Sequence, residues 1–381
     1  MNFSFDEKHE QYRESIVRFA RKELGNGVAE NDREGRFPME EWKKCSEIGL
    51  LSLLCPKEYD GLGEDLLSAI VSVQALGYGC KDNGLTHAIV TQLCCIVLLN
   101  LYGSELQKDT YLRRLSRGEL IAAQAITEPD AGSDVLSMRT TAKRMGDVYV
   151  LSGKKVFITN APLADLVIVF AKTDTGKRVF GGISCFLVEK DRPGFNRGKP
   201  LEKMGLRTLQ NGELFFDDVS VPEELLLGKE GHGMFMFNEV IEWERALMAA
   251  AHLGVMERIL EKCLEYAKTR KQFGQEIGKY QSISNKIAEM KMRIELGKLS
   301  LYKMGWLKDQ NKRATLETSI GKLFISESLK VACLDAVQIH GGYGYMQEYE
   351  IERDLRDSIA STIYSGTSEM QRNIISRMVG L

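Results

Sequence analysis

The spacing of apolar residues changes twice along this chain of 381 residues, and the two changes limit the folds it can adopt. Near the start, apolar side chains recur every three or four positions, as at Tyr12, Ile16 and Phe19, which predicts amphipathic helices. Further on, short β-branched runs such as residues 166–170 are separated by Gly, Asp and Pro, which is typical of a compact antiparallel sheet. Long helical periodicities then return. We therefore predict an α+β protein with helical domains at 1–118 and 230–381 and a sheet domain at 119–229.

The composition argues against several classes of function. Lys plus Arg (51) nearly balance Asp plus Glu (53), so overall charge does not favour a nucleic-acid-binding role. The cysteines and histidines lack disulfide-scaffold or zinc-site spacing, so we expect no metal. The longest apolar stretch, Cys94 to Leu101, is too short to span a bilayer, and Met1 to Glu7 do not resemble a secretory signal. We expect a cytoplasmic protein in a reducing compartment, with no membrane partner.

Residues 125–134, which read A-I-T-E-P-D-A-G-S-D, are the most informative short stretch. An apolar β-type run ends at Pro129, and a turn of small residues follows. Proline fixes the bend, while Gly132 allows a planar or anionic ligand to approach the backbone closely. Thr127 and Ser133 add hydroxyl groups that can donate and accept hydrogen bonds. By itself the stretch fits a strand end with a turn as well as it fits a ligand site.

The stretch is similar to the signature V-T-E-P-x-A-G-S-D of the acyl-CoA dehydrogenase family of flavoproteins. Other segments resemble the family's motifs in the same order, and the resemblance covers essentially the whole chain. They are Phe157-Ile158-Thr159, residues 270–274 with Tyr280-Gln281, residues 338–344 and residues 353–357. The resemblance implies FAD as cofactor. It also implies an N-terminal helical domain, a middle β-barrel and a C-terminal four-helix bundle, commonly assembled as a homotetramer.

In the family, FAD lies between the sheet domain and the C-terminal bundle. Arginine suits the pyrophosphate because its planar fork matches the oxygens, and glycine lets backbone N–H groups crowd in. The resemblance implies that Arg270, Gln272 and Phe273 reach FAD from a second subunit. The other residues implied to bind FAD are Ile126, Thr127, Gly132, Ser133, Phe157, Ile158, Thr159, Gln281, Gln338, Gly341, Gly342, Thr367 and Glu369.

Oxidation beside a thioester carbonyl needs a desolvated carboxylate base that removes the α-proton while a hydride leaves for flavin N5. Many family members place a Glu before the C-terminal Gly-Thr, but this chain has Ser365 before Gly366. A minority carry the base in a Glu-Arg pair on a bundle helix, which Glu244-Arg245 resembles. Residues two apart on a helix point about 200° from each other, so Glu242 cannot serve the same pocket. We predict Glu244 as the base and Glu242 as a solvated or paired surface residue.

Ser133, Arg245, Ser365 and Gly366 are expected at the substrate. In the family, the backbone N–H at the position of Ser365 and a flavin ribityl hydroxyl hold the thioester oxygen, where negative charge develops. That role needs the backbone and not the side chain, so serine keeps it.

At finer grain the chain resembles dehydrogenases that oxidise prolyl groups tethered to carrier proteins. The resemblance rests on residues 243–246, 253–258, 356–359 and 365–371. It implies a prolyl thioester on the phosphopantetheine of an acyl or peptidyl carrier protein, oxidised to a pyrroline or a pyrrole. An electron-transfer flavoprotein or O2 would reoxidise the flavin.

Three alternatives stay open at this point. The substrate could be a CoA thioester of a short branched or cyclic acid. The chain could bind FAD without turnover, against which the intact Glu244 argues. It could also be a flavin oxygenase or a relative resembling nitroalkane oxidases, with a non-thioester substrate.

Overall fold

The computed structural model describes residues 6–174 and 182–381; the first five residues, part of the start considered for a secretory signal, lie outside the described residues. The N-terminal part is helical, as the sequence predicted. Its helices are α1 (Glu7–Glu23), α2 (Val28–Glu34), α3 (Met39–Glu47), α4 (Leu66–Gly79), α5 (Asn83–Tyr102) and α6 (Glu105–Ser116).

Helices α4 and α5 form the core of this part, because each has apolar side chains on all of its faces and most of these side chains are buried. In the described residues α5 is the one helix long and apolar enough to span a bilayer, but most of it is buried inside the protein. The apolar helix around Cys94 therefore has 20 residues and is longer than the stretch from Cys94 to Leu101 that the sequence indicated. Polar residues, among them Thr86, His87 and Gln92, interrupt the apolar pattern in the sequence, and the helix buries them within the core.

The middle part is a sheet of eight strands, mostly antiparallel, in the order β6-β7-β3-β2-β4-β5-β8, with β1 parallel to β4. Among the described residues no ladder joins β6 to β8. The apolar runs predicted as strands lie in β3, β4 and β5, which confirms a sheet domain. The strands are β1 (Ala122–Ala125), β2 (Thr141–Met145), β3 (Val148–Thr159), β4 (Leu166–Lys172), β5 (Ile183–Glu189), β6 (Phe195–Arg197), β7 (Asn211–Pro222) and β8 (Leu226–Leu227).

An irregularity in the pairing of β3 with β7 sets the direction of one predicted site residue. The register shifts between Lys155 and Ile158, and Phe157 between them has φ 59°. An extra residue in one strand breaks the alternation of side chains between the two faces of the sheet, so its side chain points in a different direction. The Phe157 ring is 67% exposed although it lies inside a strand.

The C-terminal part is a bundle in which α7, α8 and α9 pack on one another and α11 and α12 pack on α9. The expected α+β arrangement is confirmed. The boundaries expected after residues 118 and 229 stay predictions, and both fall in connections between these groups of elements. The C-terminal elements are α7 (Gly233–Thr269), β9 (Lys271–Gln272), β10 (Gln275–Glu276), α8 (Gln281–Asp309), α9 (Thr315–His340), α10 (Gly342–Tyr345), α11 (Ile351–Ala360) and α12 (Ser368–Met378).

Helix α7, 37 residues long, packs backbone to backbone against α4. A Cβ on Gly254 would lie 2.1 Å from the Gln74 carbonyl oxygen, and one on Gly77 would lie 2.3 Å from the Ala251 carbonyl oxygen. Only glycine allows such an approach. The buried pair of Arg258 with Asp354, 2.9 Å apart, adds α11 to this contact. The position of α7 is therefore tightly determined.

Candidate active site

The segment that follows β1 is held by a buried ion pair. Lys155 Nζ lies 2.8 Å from Glu128 Oε1 and donates to the Ile126 carbonyl oxygen at 2.9 Å, and its side chain is fully buried. Burial lowers the pKa of Lys155 to about 8. Burial alone would raise the pKa of Glu128, but Lys155 and the backbone N–H groups of Arg139 and Thr140 outweigh it and hold the pKa below its usual value.

This ion pair brings the motif at residues 125–134 next to the motif at residues 157–159. The Val156 N–H donates to the Thr127 carbonyl oxygen at 2.9 Å, so Ile126 and Thr127 lie beside the segment that carries Phe157. A short turn follows, in which Glu128 and Ala131 bond each other through their backbones. Ile158 is buried and Thr159 is half-buried, whereas Gly132 and Ser133 are exposed beyond the turn. The sequence reading missed Lys155, whose one signal is a lysine beside an apolar β-type run.

Glu244 lies on α7 against the loop between α11 and α12. The Ser365 hydroxyl donates to Glu244 Oε1 at 2.5 Å. Burial raises the pKa of Glu244, while the Ser365 hydrogen bond and the charges of Arg245 and Lys322 oppose the rise. A carboxylate whose pKa is raised towards the pH at which an enzyme works can accept a proton as a general base.

Glu242 points to the other side of α7, as the helix geometry required. It pairs with Lys308 at 3.1 Å and accepts a hydrogen bond from the Thr315 hydroxyl at 2.5 Å. The expected pairing is confirmed, but the expected surface position is wrong, because Glu242 is 8% exposed. Its partners on α8 and α9 cover it, and they are distant in the sequence.

The loop at Ser365 and Gly366 has both carbonyl oxygens held by side chains. Arg245 Nε donates to the Ser365 oxygen at 2.9 Å, Lys322 Nζ donates to the Gly366 oxygen at 2.8 Å, and Gln371 Nε2 reaches both. Ser365 and Gly366 have φ 54° and 84°. The positive φ of Gly366 favours glycine, and a Cβ there would also lie 2.8 Å from Gln371 Nε2. Three predicted substrate residues, Arg245, Ser365 and Gly366, thus lie together, whereas Ser133 lies with the first group.

Two histidines flank the neighbouring Tyr364, and the sequence reading did not place any histidine here. His252 Nε2 lies 2.6 Å from the Tyr364 hydroxyl oxygen, and the His87 ring meets the Tyr364 ring edge-on with centroids 4.7 Å apart. Burial lowers the pKa of His87 to about 4 and that of His252 to about 3. Both rings are therefore neutral at physiological pH, and they support the loop without adding charge.

Four of the predicted FAD residues line a separate open cleft. Arg270, Gln272, Gly341 and Gly342 line it, and the Arg270 guanidinium lies 5.7 Å from the centre of the Tyr343 ring. A Cβ on Gly341 or Gly342 would meet no atom within 4 Å, so a ligand has room against the backbone. Across the described residues, no hydrogen bond or ion pair joins this cleft to the segment after β1. The expectation that this cleft serves the FAD of a second subunit stays a prediction.

The other predicted FAD residues lie at a strand turn and at helix ends. Phe273 is 95% exposed at the β9–β10 turn, Gln281 begins α8, and Gln338 is in the last turn of α9. Thr367 caps α12 by accepting the Met370 N–H at 3.2 Å, and Glu369 is exposed in its first turn. Guanidinium, aromatic and glycine groups of this kind fit a dinucleotide with a pyrophosphate. No cluster of metal-ligating side chains occurs among the residues that the structure describes.

We expect Lys155→Met to destabilise the protein by about 3–5 kcal/mol, because it leaves Glu128 buried and unpaired. Lys154→Met is the matched control. Lys154 is the adjacent residue, and its pair with Glu213 at 2.7 Å is partly exposed, so its loss should cost about 1 kcal/mol or less. Urea unfolding followed by circular dichroism measures both. Equal effects of the two substitutions would contradict the role of the buried pair.

The three domain families of the acyl-CoA dehydrogenases match the chain: the N-terminal domain at residues 6–119, the middle domain at 123–219 and the C-terminal domain at 231–380. An L-prolyl-[peptidyl-carrier protein] dehydrogenase of Pseudomonas fluorescens is 40% identical, with both chains covered in full. The crystal structure of the prolyl acyl carrier protein oxidase AnaB has a TM-score of 0.97 at 44% identity, covering 99% of this chain and 100% of that one. PigA with FAD and proline has a TM-score of 0.98 at 39% identity, with both chains fully covered. The chain belongs to the acyl-CoA dehydrogenase family of FAD-dependent oxidoreductases.

Proposed function

We propose that the protein oxidises a prolyl thioester carried on the phosphopantetheine of an acyl or peptidyl carrier protein, with Glu244 as the base. The half-buried carboxylate of Glu244, held by the Ser365 hydroxyl, is the observation that carries this proposal. The likeness to enzymes named for prolyl carrier proteins supports the substrate. Serine at position 365 is smaller than the glutamate that many family members have there, and it frees space for a compact ring.

Proton removal is the step that Glu244 performs. Its carboxylate takes the proton from Cα of the prolyl group, and the electrons of the C–H bond move towards the thioester carbonyl. FAD, when bound, supplies the acceptor for the hydride that leaves the neighbouring ring carbon. Loss of one proton and one hydride gives a dehydroprolyl thioester, which is a pyrroline. Tautomerisation would move its double bond to the ring nitrogen, and a second oxidation would give a pyrrole.

The loop beside Glu244 is suited to the negative charge that develops on the thioester oxygen. In a trans peptide the C=O and N–H groups point in opposite directions. Arg245, Lys322 and Gln371 hold the carbonyls of Ser365 and Gly366, so the next N–H groups point away from these side chains. In the described residues, the N–H groups of residues 365, 366 and 367 find no acceptor. Fixed N–H donors of this kind stabilise an oxyanion.

Anaerobic mixing with a prolyl carrier protein tests the substrate and the base together. We expect the yellow flavin to bleach with the prolyl carrier protein and not with short branched or cyclic acyl-CoA thioesters. Glu244→Gln should lower the bleaching rate by at least roughly a hundredfold, because general-base catalysis contributes that much or more. Stopped-flow absorbance measures the rate. Glu239→Gln is the control, because Glu239 lies on the same helix in a partly exposed pair with Lys308.

The outcomes of this experiment separate the parts of the proposal. Bleaching by acyl-CoA thioesters alone would replace the prolyl substrate and leave Glu244 as the base. A normal rate with Glu244→Gln would remove Glu244 from that role. Purified protein that holds no FAD and cannot be reconstituted would contradict the enzymatic function.

The pH profile of Ser365→Ala tests the hydrogen bond to the base. Glu244 acts when ionised, so kcat/KM rises with pH through its pKa. The Ser365 hydroxyl favours the ionised form, and without it the pKa rises and the acid limb shifts to higher pH. We expect kcat/KM to fall about tenfold on the acid limb and much less at high pH, since a hydrogen bond to a charged group is worth about 1.5–3 kcal/mol. A uniform loss at all pH values would contradict this role.

We further propose that the protein is a homo-oligomer, the expected state being a tetramer, and that an electron-transfer flavoprotein or O2 is the oxidant. Exposed apolar side chains recur at helical spacing on one face of α8, at Met292, Leu296, Leu299 and Trp306. A row of exposed apolar side chains of this kind supports an interface between proteins.

Leu299→Lys should therefore weaken self-association. Sedimentation velocity should show a smaller species for this variant than for the wild type, because a buried charge in an apolar interface is unfavourable. Met145→Lys, at an exposed position on β2, is the control. A wild-type protein that sediments as a monomer would contradict the interface.

A further inference from the structure

Lys322 is a buried cation beside the loop at residues 365–367. It lies on α9 and is 3% exposed, and its ammonium group donates to the Gly366 carbonyl oxygen at 2.8 Å. Arg245, on α7, is 7% exposed and holds the preceding carbonyl. Neither cation has a carboxylate within ion-pair distance among the described residues. Two cations buried in this way are costly unless a negative charge compensates them.

The negative groups near these cations belong to the reaction centre. Lys322 faces Glu244, Arg245 and His252 on α7, Glu327 on its own helix and Glu369 on α12. Glu327 already pairs with Lys330 at 2.8 Å and accepts from the Ser368 hydroxyl, and Glu369 is exposed near Arg372. The ionised Glu244 and the thioester oxygen are the remaining anions. During proton removal the negative charge passes from the first to the second, while the two cations keep their places.

We propose that Lys322 is a positioning residue for this reaction, holding the Gly366 carbonyl and supplying positive charge beside Glu244 and the loop at residues 365–367. Through the trans peptide, the contact with Gly366 also fixes the direction of the Thr367 N–H. The charge favours the ionised Glu244 before the step and the charged thioester oxygen after it. This inference rests on the proposed function of Glu244.

The protonation of Lys322 should give the reaction a second pH dependence. Burial and the neighbouring Arg245 lower the pKa of Lys322 to about 8. Above that pH the ammonium group loses its proton, the positive charge disappears, and kcat should fall. Arginine at this position would keep its charge at all accessible pH values.

Four variants of the FAD-loaded protein separate charge from hydrogen bonding and from structure. Lys322→Met removes the charge and the donor at similar length, Lys322→Gln removes the charge and keeps an N–H donor, and Lys322→Arg keeps both. Lys330→Met is the matched control, because Lys330 lies on the same helix in a partly exposed pair with Glu327.

Two measurements apply to each variant. The pH dependence of kcat and kcat/KM follows turnover, and difference infrared titration follows the Glu244 carboxyl, which Glu244→Gln identifies, without requiring turnover. We expect the acid limb and the Glu244 titration to move to higher pH with Met and Gln and to stay in place with Arg. The alkaline limb near pH 8 should be lost with Arg. For Met, kcat should fall at least roughly tenfold and KM should change less, as for loss of a group that acts on the transition state.

A wild-type Glu244 titration in Lys322→Gln, together with a wild-type acid limb, would overturn the inference even if stability fell. An alkaline limb that persists in Lys322→Arg would do the same. Neither result would contradict the proposed function, because that is tested separately by the bleaching rate of Glu244→Gln. If Lys322→Met does not fold, the Gln and Arg variants carry the comparison.

Discussion

The burial of an ionisable carboxylate on α7 is the constraint on which the rest of this site depends. Water would keep Glu244 a weak base, and burial makes it stronger by raising its pKa. Full burial without partners would favour its protonated form. The Ser365 hydroxyl and the charges of Arg245 and Lys322 oppose that limit. Because these groups come from three separate elements, the balance exists only when α7, α9 and the loop after α11 are held in place.

The packing of α7 supplies that precision. Gly77 and Gly254 allow α4 and α7 to touch through their backbones, and the pair of Arg258 with Asp354 adds α11 to the same contact. The two sides of the site are then built in a similar way. A buried lysine holds a backbone carbonyl on each side, Lys155 at Ile126 and Lys322 at Gly366. Lys155 has a carboxylate partner, whereas Lys322 has none within ion-pair distance in the described part of the chain. The second lysine therefore leaves positive charge where the proposed reaction would place a negative one.

The periodicities of the chain predicted its architecture because helix and strand repeats are local properties. The motif segments identified candidate flavin residues, and the structure places Thr127 beside the segment before Phe157. Glu242 shows where local reasoning fails. Its position on α7 correctly separated it from Glu244, but its burial depends on Lys308 and Thr315, which lie on other helices. Lys322 and His252 could not be identified from the sequence, because each is only a polar residue within a largely apolar helix.

The sequence by itself determined the order of helices and strands, the family, and a carboxylate at position 244 with a serine at 365. These depend on residue identity and short-range spacing. The tertiary structure alone decided that Ser365 hydrogen-bonds Glu244, that two cations hold the neighbouring carbonyls, and that the Arg270 cleft shares no hydrogen bond or ion pair with the segment after β1 among the described residues. Hydrogen bonds and burial act over a few ångströms in space, and they joined residues more than one hundred positions apart.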